Sequence, residues 1–141
     1  MKKSVLLVAV AAVALIAYFT MNMRGEPIAQ PSENGAPLVD VIIPTELSSN
    51  AQIGQQFFEK ACASCHGTNA AGKDGFGPPL IHKIYEPSHH GDEAFQLAPL
   101  RGVQAHHWPF GDMPPVKGIT RGDIKLIIDY IREVQAANGI Q

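Results

Sequence analysis

The sequence predicts a small all-α domain of three or more short helices, preceded by an N-terminal transmembrane helix. Three observations lead there. An apolar run follows Lys2-Lys3 and extends from Val5 to Phe19. Further on, two stretches show apolar periodicity of the helical kind, with a third, shorter one between them. Nowhere do apolar and polar residues alternate for long enough to make a strand.

The N-terminal run comes first in chain order. About 20 residues of helix reach roughly 30 Å, enough to cross a hydrocarbon core. A secretory signal peptide and a membrane anchor share this pattern. Cleavage requires small residues at the end of the apolar run, whereas Tyr18, Phe19, Thr20, Met21, Asn22 and Met23 stand there. Residues 1–24 therefore read as a membrane anchor or uncleaved signal, with a cleaved signal peptide the alternative. Lys2 and Lys3 keep its start in the cytoplasm. The chain after Arg24 then lies outside a single-pass inner membrane, on the periplasmic side in a Gram-negative host.

Residues 25–47 read as a linker, with Pro27, Pro31, Pro37 and Pro44 spread through it. Proline disfavours helix and sheet alike, so an extended tether is expected. The run Leu38-Val39-Asp40-Val41-Ile42-Ile43 is apolar enough to dock on the domain as a strand-like segment. An unpaired stretch is the alternative.

Residues 48–141 form the folded domain. Ser49 or Asn50 caps a first helix reaching about Ala63, with Ile53, Phe57 and Ala61 on one face and Phe58 beside them. Asp92 starts a shorter helix that stops near Gly102, with Phe95 and Leu97 buried. Pro99 should kink or shorten it. Thr120-Arg121-Gly122-Asp123 resembles a capping box for the last helix. Ile124, Ile127, Ile128, Ile131 and Val134 make its apolar stripe, and Asn138-Gly139 stops it. The loops between are rich in Gly and Pro. Three short helices on long loops leave the middle of a marginal core unfilled.

Charge narrows the function classes. The domain carries eight Lys or Arg against nine Asp or Glu, and the whole chain has a net charge of −2. A nucleic-acid binder would normally show a basic patch, so that class is set aside. Two cysteines are too few for a disulfide scaffold.

Those two cysteines sit in Cys62-Ala63-Ser64-Cys65-His66, which reads C-x-x-C-H, a c-type haem attachment pattern. Two thiols three residues apart at a helix end can each add to a haem vinyl group, giving two thioethers. His66 then lies beneath the iron and can ligate it. Covalent haem also supplies the missing core. A thioredoxin-like redox pair needs a βαβ setting, which is absent. A zinc site needs a second pair of ligands at metal spacing. A Cys62–Cys65 disulfide is the remaining alternative.

The second axial ligand is read from Gly111-Asp112-Met113-Pro114-Pro115. Met113 is the one methionine after residue 23. A thioether favours ferrous iron and raises the reduction potential. The prolines that follow stiffen its loop. His106 and His107 are the runner-up ligands, with His82 less suited. Trp108 precedes Met113 closely; its N–H either reaches a haem propionate or is ordinary packing.

Residues 48–141 resemble a class I c-type cytochrome, similar to the membrane-anchored monohaem members. The resemblance is carried by C-A-S-C-H, by Gly77-Pro78-Pro79-Leu80, by the Gly-Asp-Met-Pro-Pro loop and by Tyr130-Ile131-Arg132. It implies a cytochrome c fold of helices around one covalently bound haem c. It further implies that the Pro78 carbonyl accepts a hydrogen bond from His66 Nδ1–H, that Leu80 packs on the haem face, and that Gly54 and Tyr130 meet where the first and last helices cross.

The resemblance implies a one-electron carrier rather than an enzyme, serving exported or membrane redox proteins in a respiratory or other redox chain. A haem-based sensor or peroxidase-like enzyme with a dissociable Met113 is the alternative, as is a fixed subunit of a larger oxidoreductase. His82, His89, His90, His106 and His107 are not explained by haem ligation. The two adjacent pairs could hold copper or another exported metal, or be solvated.

Overall fold

The computed structural model describes residues 34–141, together with Leu15 and Tyr18, which are helical and exposed. Apart from those two, the anchor expected over residues 1–24 lies outside the described residues, as does the first part of the linker. Among the described residues no helix is long and apolar enough to cross a membrane.

Residues 34–141 contain four α-helices: α1 (Ser49–Ala61), α2 (Ala63–His66), α3 (Asp92–Arg101) and α4 (Arg121–Ala137). Two single 3-10 turns, Thr68–Ala70 and Lys83–Tyr85, lie in the loops. Among the described residues, pairing between extended residues is confined to isolated bridges, Lys73 with Gly77 and Val103 with Met113.

The packing of α1 against α4 dominates the fold. The α1 cap is Ser48, one residue earlier than expected, and its hydroxyl accepts from Ala51 N–H. The same residue donates its backbone N–H and its hydroxyl to the Glu133 carboxylate, at 3.0 and 2.5 Å, which ties the start of α1 to α4. The buried face of α1 is Ala51, Gly54 and Phe58. Ile53, expected inside, is 44% exposed. The helix is rotated because α4 crosses it at Gly54. A Cβ at that glycine would overlap the backbone carbonyl of Leu126. Only a residue without a side chain permits so close an approach, and the crossing point decides which face turns inward. Tyr130 is buried near the crossing against Phe58, ring centroids 5.8 Å apart.

α4 begins as its sequence predicts. The Thr120 side chain accepts from Asp123 N–H, and Asp123 accepts from Thr120 N–H at 3.0 Å. Ile124, Ile127, Ile128, Ile131 and Val134 are all buried. Asn138 caps the far end, and Gly139 follows with φ +73°.

α3 runs through Pro99 to Arg101 without being shortened. Pro99 falls in the last turn and is buried there, so the missing N–H costs one bond near an end that would fray anyway. Its carbonyl accepts from Val116 N–H at 2.7 Å. Gln96 is the buried side chain of the middle turn, while Phe95 and Leu97 are half-buried, Phe95 against the core.

The 38–43 segment docks without forming a strand. Leu38 and Val39 both donate to the Ala71 carbonyl at 3.1 Å. Asn138 grips Ile42 twice, accepting from its N–H at 2.9 Å and donating to its carbonyl at 2.8 Å. Val41 and Ile43 pack on the core while Ile42 faces out.

Candidate haem site

The helix ends converge on an apolar cavity of about 370 Å³, partly open to solvent. That volume lies within the ~300–1,000 Å³ usual for cofactor sites. Its floor is α1 and α4, through Phe58, Ile124, Ile127 and Ile128; α3 forms one wall.

The Cys62–His66 segment starts where α1 stops. Cys62 N–H still bonds back to the Phe58 carbonyl at 2.8 Å, and the Cys62 carbonyl then accepts from His66 N–H at 2.9 Å, opening α2. Gly67 follows with φ +72°, and a Cβ on it would overlap the Gly72 carbonyl. The turn therefore closes tightly behind His66, whose carbonyl accepts from Gly72 N–H at 2.8 Å.

His66 is buried and lines the cavity. Its Nδ1 lies 2.9 Å from the Pro78 carbonyl oxygen, which only accepts, so Nδ1 carries the proton and Nε2 keeps its lone pair. Burial holds the ring below the usual imidazole pKa, against the opposing bond to Pro78. A neutral imidazole of fixed tautomer is what a metal ligand requires.

Cys62 lines the cavity, whereas Cys65 is exposed and is not among the lining residues; both are free thiols. Burial, followed by the charge of the neighbouring Cys65, pushes the Cys62 pKa up to about 11. A redox dithiol works through a thiolate of depressed pKa. Cys62 is displaced the other way, which disfavours the thioredoxin-like alternative.

Met113 also lines the cavity, on a loop clamped at its base. Val103 and Met113 exchange both backbone hydrogen bonds at 2.9 Å. Ala105 N–H donates to Asp112 Oδ1 at 2.8 Å. Gly102 must be a glycine: its φ is +78°, and a Cβ would stand 2.7 Å from the Met113 carbonyl. The loop 104–112 is therefore held at its root while its tip carries His106, His107 and Trp108.

Pro78, Leu80 and Trp108 all line the cavity. Trp108 Nε1 is buried without a hydrogen-bond partner. The Tyr85 phenol, its pKa raised by burial, is near enough to the indole to feel it, though not in bonding geometry. A buried orphan donor costs about 1–3 kcal/mol, so a polar ligand atom is its natural complement. His82 packs edge-on to the Trp108 ring.

Two supporting roles are not legible in the sequence, although one belongs to Arg132 of the Tyr130-Ile131-Arg132 motif. Gln135 is fully buried on the apolar face of α4; its amide donates to the carbonyls of Leu80 at 2.8 Å and Tyr85 at 3.0 Å. Arg132 donates to the carbonyls of Tyr85 and His90 and to the Asp92 carboxylate. Together they lash two irregular loops to α4. Gln135 falls on the stripe Ile124, Ile128, Ile131, and a lone amide on such a stripe was the available signal.

The chemistry of this donor set fits haem c. The walls are largely apolar, the imidazoles of His66, His90, His106 and His107 and the Met113 thioether line the same space, Cys62 lines it with Cys65 exposed three residues on, and the Trp108 indole N–H awaits an acceptor.

Comparison with known proteins gives one family match. The profile described as Cytochrome c matches residues 51–135. No curated protein and no solved structure gives a significant match.

Proposed function

Because the chain belongs to the cytochrome c family, which implies a covalently bound haem c and a haem-based electron carrier, we propose that it is a membrane-anchored one-electron carrier with His66 and Met113 as axial ligands. Bound haem c supplies a reversible Fe(III)/Fe(II) couple. Cys62 and Cys65 hold it through thioethers. The Pro78 carbonyl keeps His66 in the tautomer that presents Nε2. Leu80 packs on the haem face, and Trp108 Nε1–H serves a propionate.

One observation carries this reading: His66 and Met113, 47 positions apart in the chain, line the same apolar cavity, and the Val103 bridge fixes the Met113 backbone while His106 and His107, which line the cavity too, ride the tip of the loop. With both axial positions taken by protein, no coordination site is left for substrate, so electron passage is favoured over catalysis. Residues 1–24 tether the domain to the inner membrane, with the domain on the periplasmic side. Its partners are exported or membrane redox proteins that meet it through a small, transient interface.

The discriminating experiment is carbon monoxide binding to the reduced holoprotein at neutral pH, alongside a Met113→Ala variant. The wild type should resist carbon monoxide and show the weak far-red sulfur-to-iron absorption when ferric. Met113→Ala should lose that band, bind carbon monoxide readily, and have a lower potential, within the roughly 0.8 V that axial ligands span. Rapid, stoichiometric binding by the wild type would favour a sensor or peroxidase-like role. A far-red band that survives in Met113→Ala would refute the ligand assignment.

A further inference from the structure

We infer that His89, His90 and His107 form a second metal site, for a divalent cation of the copper(II) and zinc(II) class, at the margin of the haem cavity. One ligand atom from each of the three rings lies within 4.8 Å of the other two. The rings come from two loops: ring centroids are 4.7 Å apart for His89 and His90, 5.4 Å for His89 and His107, and 5.3 Å for His90 and His107.

The site is built rather than accidental, because His90 is fixed from several sides. Its Nδ1 donates to the Ile84 carbonyl at 2.6 Å, leaving the Nε2 lone pair free. A carbonyl behind a ligating imidazole is the usual arrangement at metal sites. Its own carbonyl accepts from Arg132 at 2.6 Å, and its ring packs on Tyr85 at 5.0 Å. The N–H groups of His89 and His90 both donate to the Glu86 carbonyl, which holds the pair in one turn. His107 arrives on the loop rooted by the Val103–Met113 bridge.

The donor chemistry selects the ion. Three imidazoles suit copper and zinc, and disfavour magnesium and calcium, which want oxygen. Bonds of about 2.0–2.1 Å place tetrahedral nitrogens about 3.3 Å apart. The rings must therefore close by about 1.5 Å. His89 and His107 are exposed and free to turn. A fourth position stays open to water at the surface. His106 lies close to His107, with centroids 4.2 Å apart, but stands 6.2 Å from His90 and outside the set. The site rests on the reading that Met113 is the second haem ligand, because His107, which also lines the haem cavity, cannot serve both metals.

The test is calorimetric titration of the holoprotein with copper(II) alone and with zinc(II) alone, and electron paramagnetic resonance of the copper form. One ion per chain is expected, copper the tighter, with nitrogen hyperfine structure from imidazole. His89→Ala, His107→Ala and His90→Gln should each weaken binding by at least about 10-fold, since losing even a partner behind a ligand costs about 10–100-fold. His106→Ala should stay close to wild type. The Soret spectrum and melting temperature of each variant report that the fold persists. Absence of saturable binding, or equal affinity in the His89→Ala/His107→Ala variant, overturns the site. So does a changed axial-ligand spectrum in those variants without added metal, which would assign the rings to the haem iron.

Discussion

Replacing Cys62 and Cys65 together with serine is expected to yield a chain that retains no haem after denaturation and no longer unfolds cooperatively. Serine nearly matches cysteine in size, so the change removes the attachment chemistry and little packing. The consequence comes from the cavity. A void of about 370 Å³ at about 24 cal/mol per Å³ costs on the order of 9 kcal/mol. That figure is a ceiling, because this cavity opens to solvent and its loops can collapse inward. It still rivals the total stability of an ordinary domain, about 5–15 kcal/mol. Haem staining on a denaturing gel reads the attachment. Near-ultraviolet circular dichroism and dye binding read the packing, and a loosely packed, dye-binding state is the expected form. Each single variant should keep one thioether and fall between. Covalent haem in the double variant would refute the attachment site; a sharp melt without haem would show that the polypeptide core suffices.

What could be read from sequence divides by the range of the interaction. The capping box at Thr120 and Asp123 spans four consecutive residues, and the α4 stripe repeats within one helix. Both are local, and both stand in the structure as read. The Cys62-x-x-Cys65-His66 pattern is local in the same sense. The buried face of α1 is not legible from periodicity alone, because it depends on which residue α4 crosses; the resemblance supplies that residue, Gly54, and the crossing lies there. Ile53 obeys helical periodicity as well as Ala51 and Phe58 do, and the crossing at Gly54 turns it outward while Phe57 stays half-buried against the core.

The loops were less legible still. Arg132 and Gln135 act on the backbone carbonyls of Leu80, Tyr85 and His90, 42 to 55 positions away. Any residue has a carbonyl, so the recipient leaves no mark in the sequence. For the same reason the sequence offers the two histidine pairs as metal ligands or as solvated side chains without showing which rings meet. Their convergence needs Arg132 to hold one loop and the Val103–Met113 bridge to root the other. Pro99 was misjudged because the cost of an interior proline depends on its turn, and here it occupies the last.

Gly54→Ala should be among the most damaging single substitutions in the domain, although alanine is the better helix former by about 1 kcal/mol. A Cβ at residue 54 overlaps the Leu126 carbonyl and stands 3.1 Å from the Ile127 amide nitrogen. These are backbone atoms within α4, so no rotamer change makes room. The helices must separate, which loosens Ala51 and Phe58 from Ile127, Tyr130 and Ile131, residues of one buried cluster. Overpacking alone costs about 1–3 kcal/mol, and the lost contacts add to it. A loss above about 3 kcal/mol corresponds to more than about 12 °C in melting temperature for a domain this size. Gly122→Ala is the matched control. Its Cβ would meet only the Thr120 hydroxyl, at an ordinary 3.6 Å, so its melting temperature should hold or rise. If Gly54→Ala melts within a few degrees of wild type, the close crossing is not what orients α1. The outcome bears on the site as well as the fold, because α1 leads directly into Cys62 and His66. A crossing that slips should displace His66 from the Pro78 carbonyl and disturb the axial spectrum before the chain unfolds.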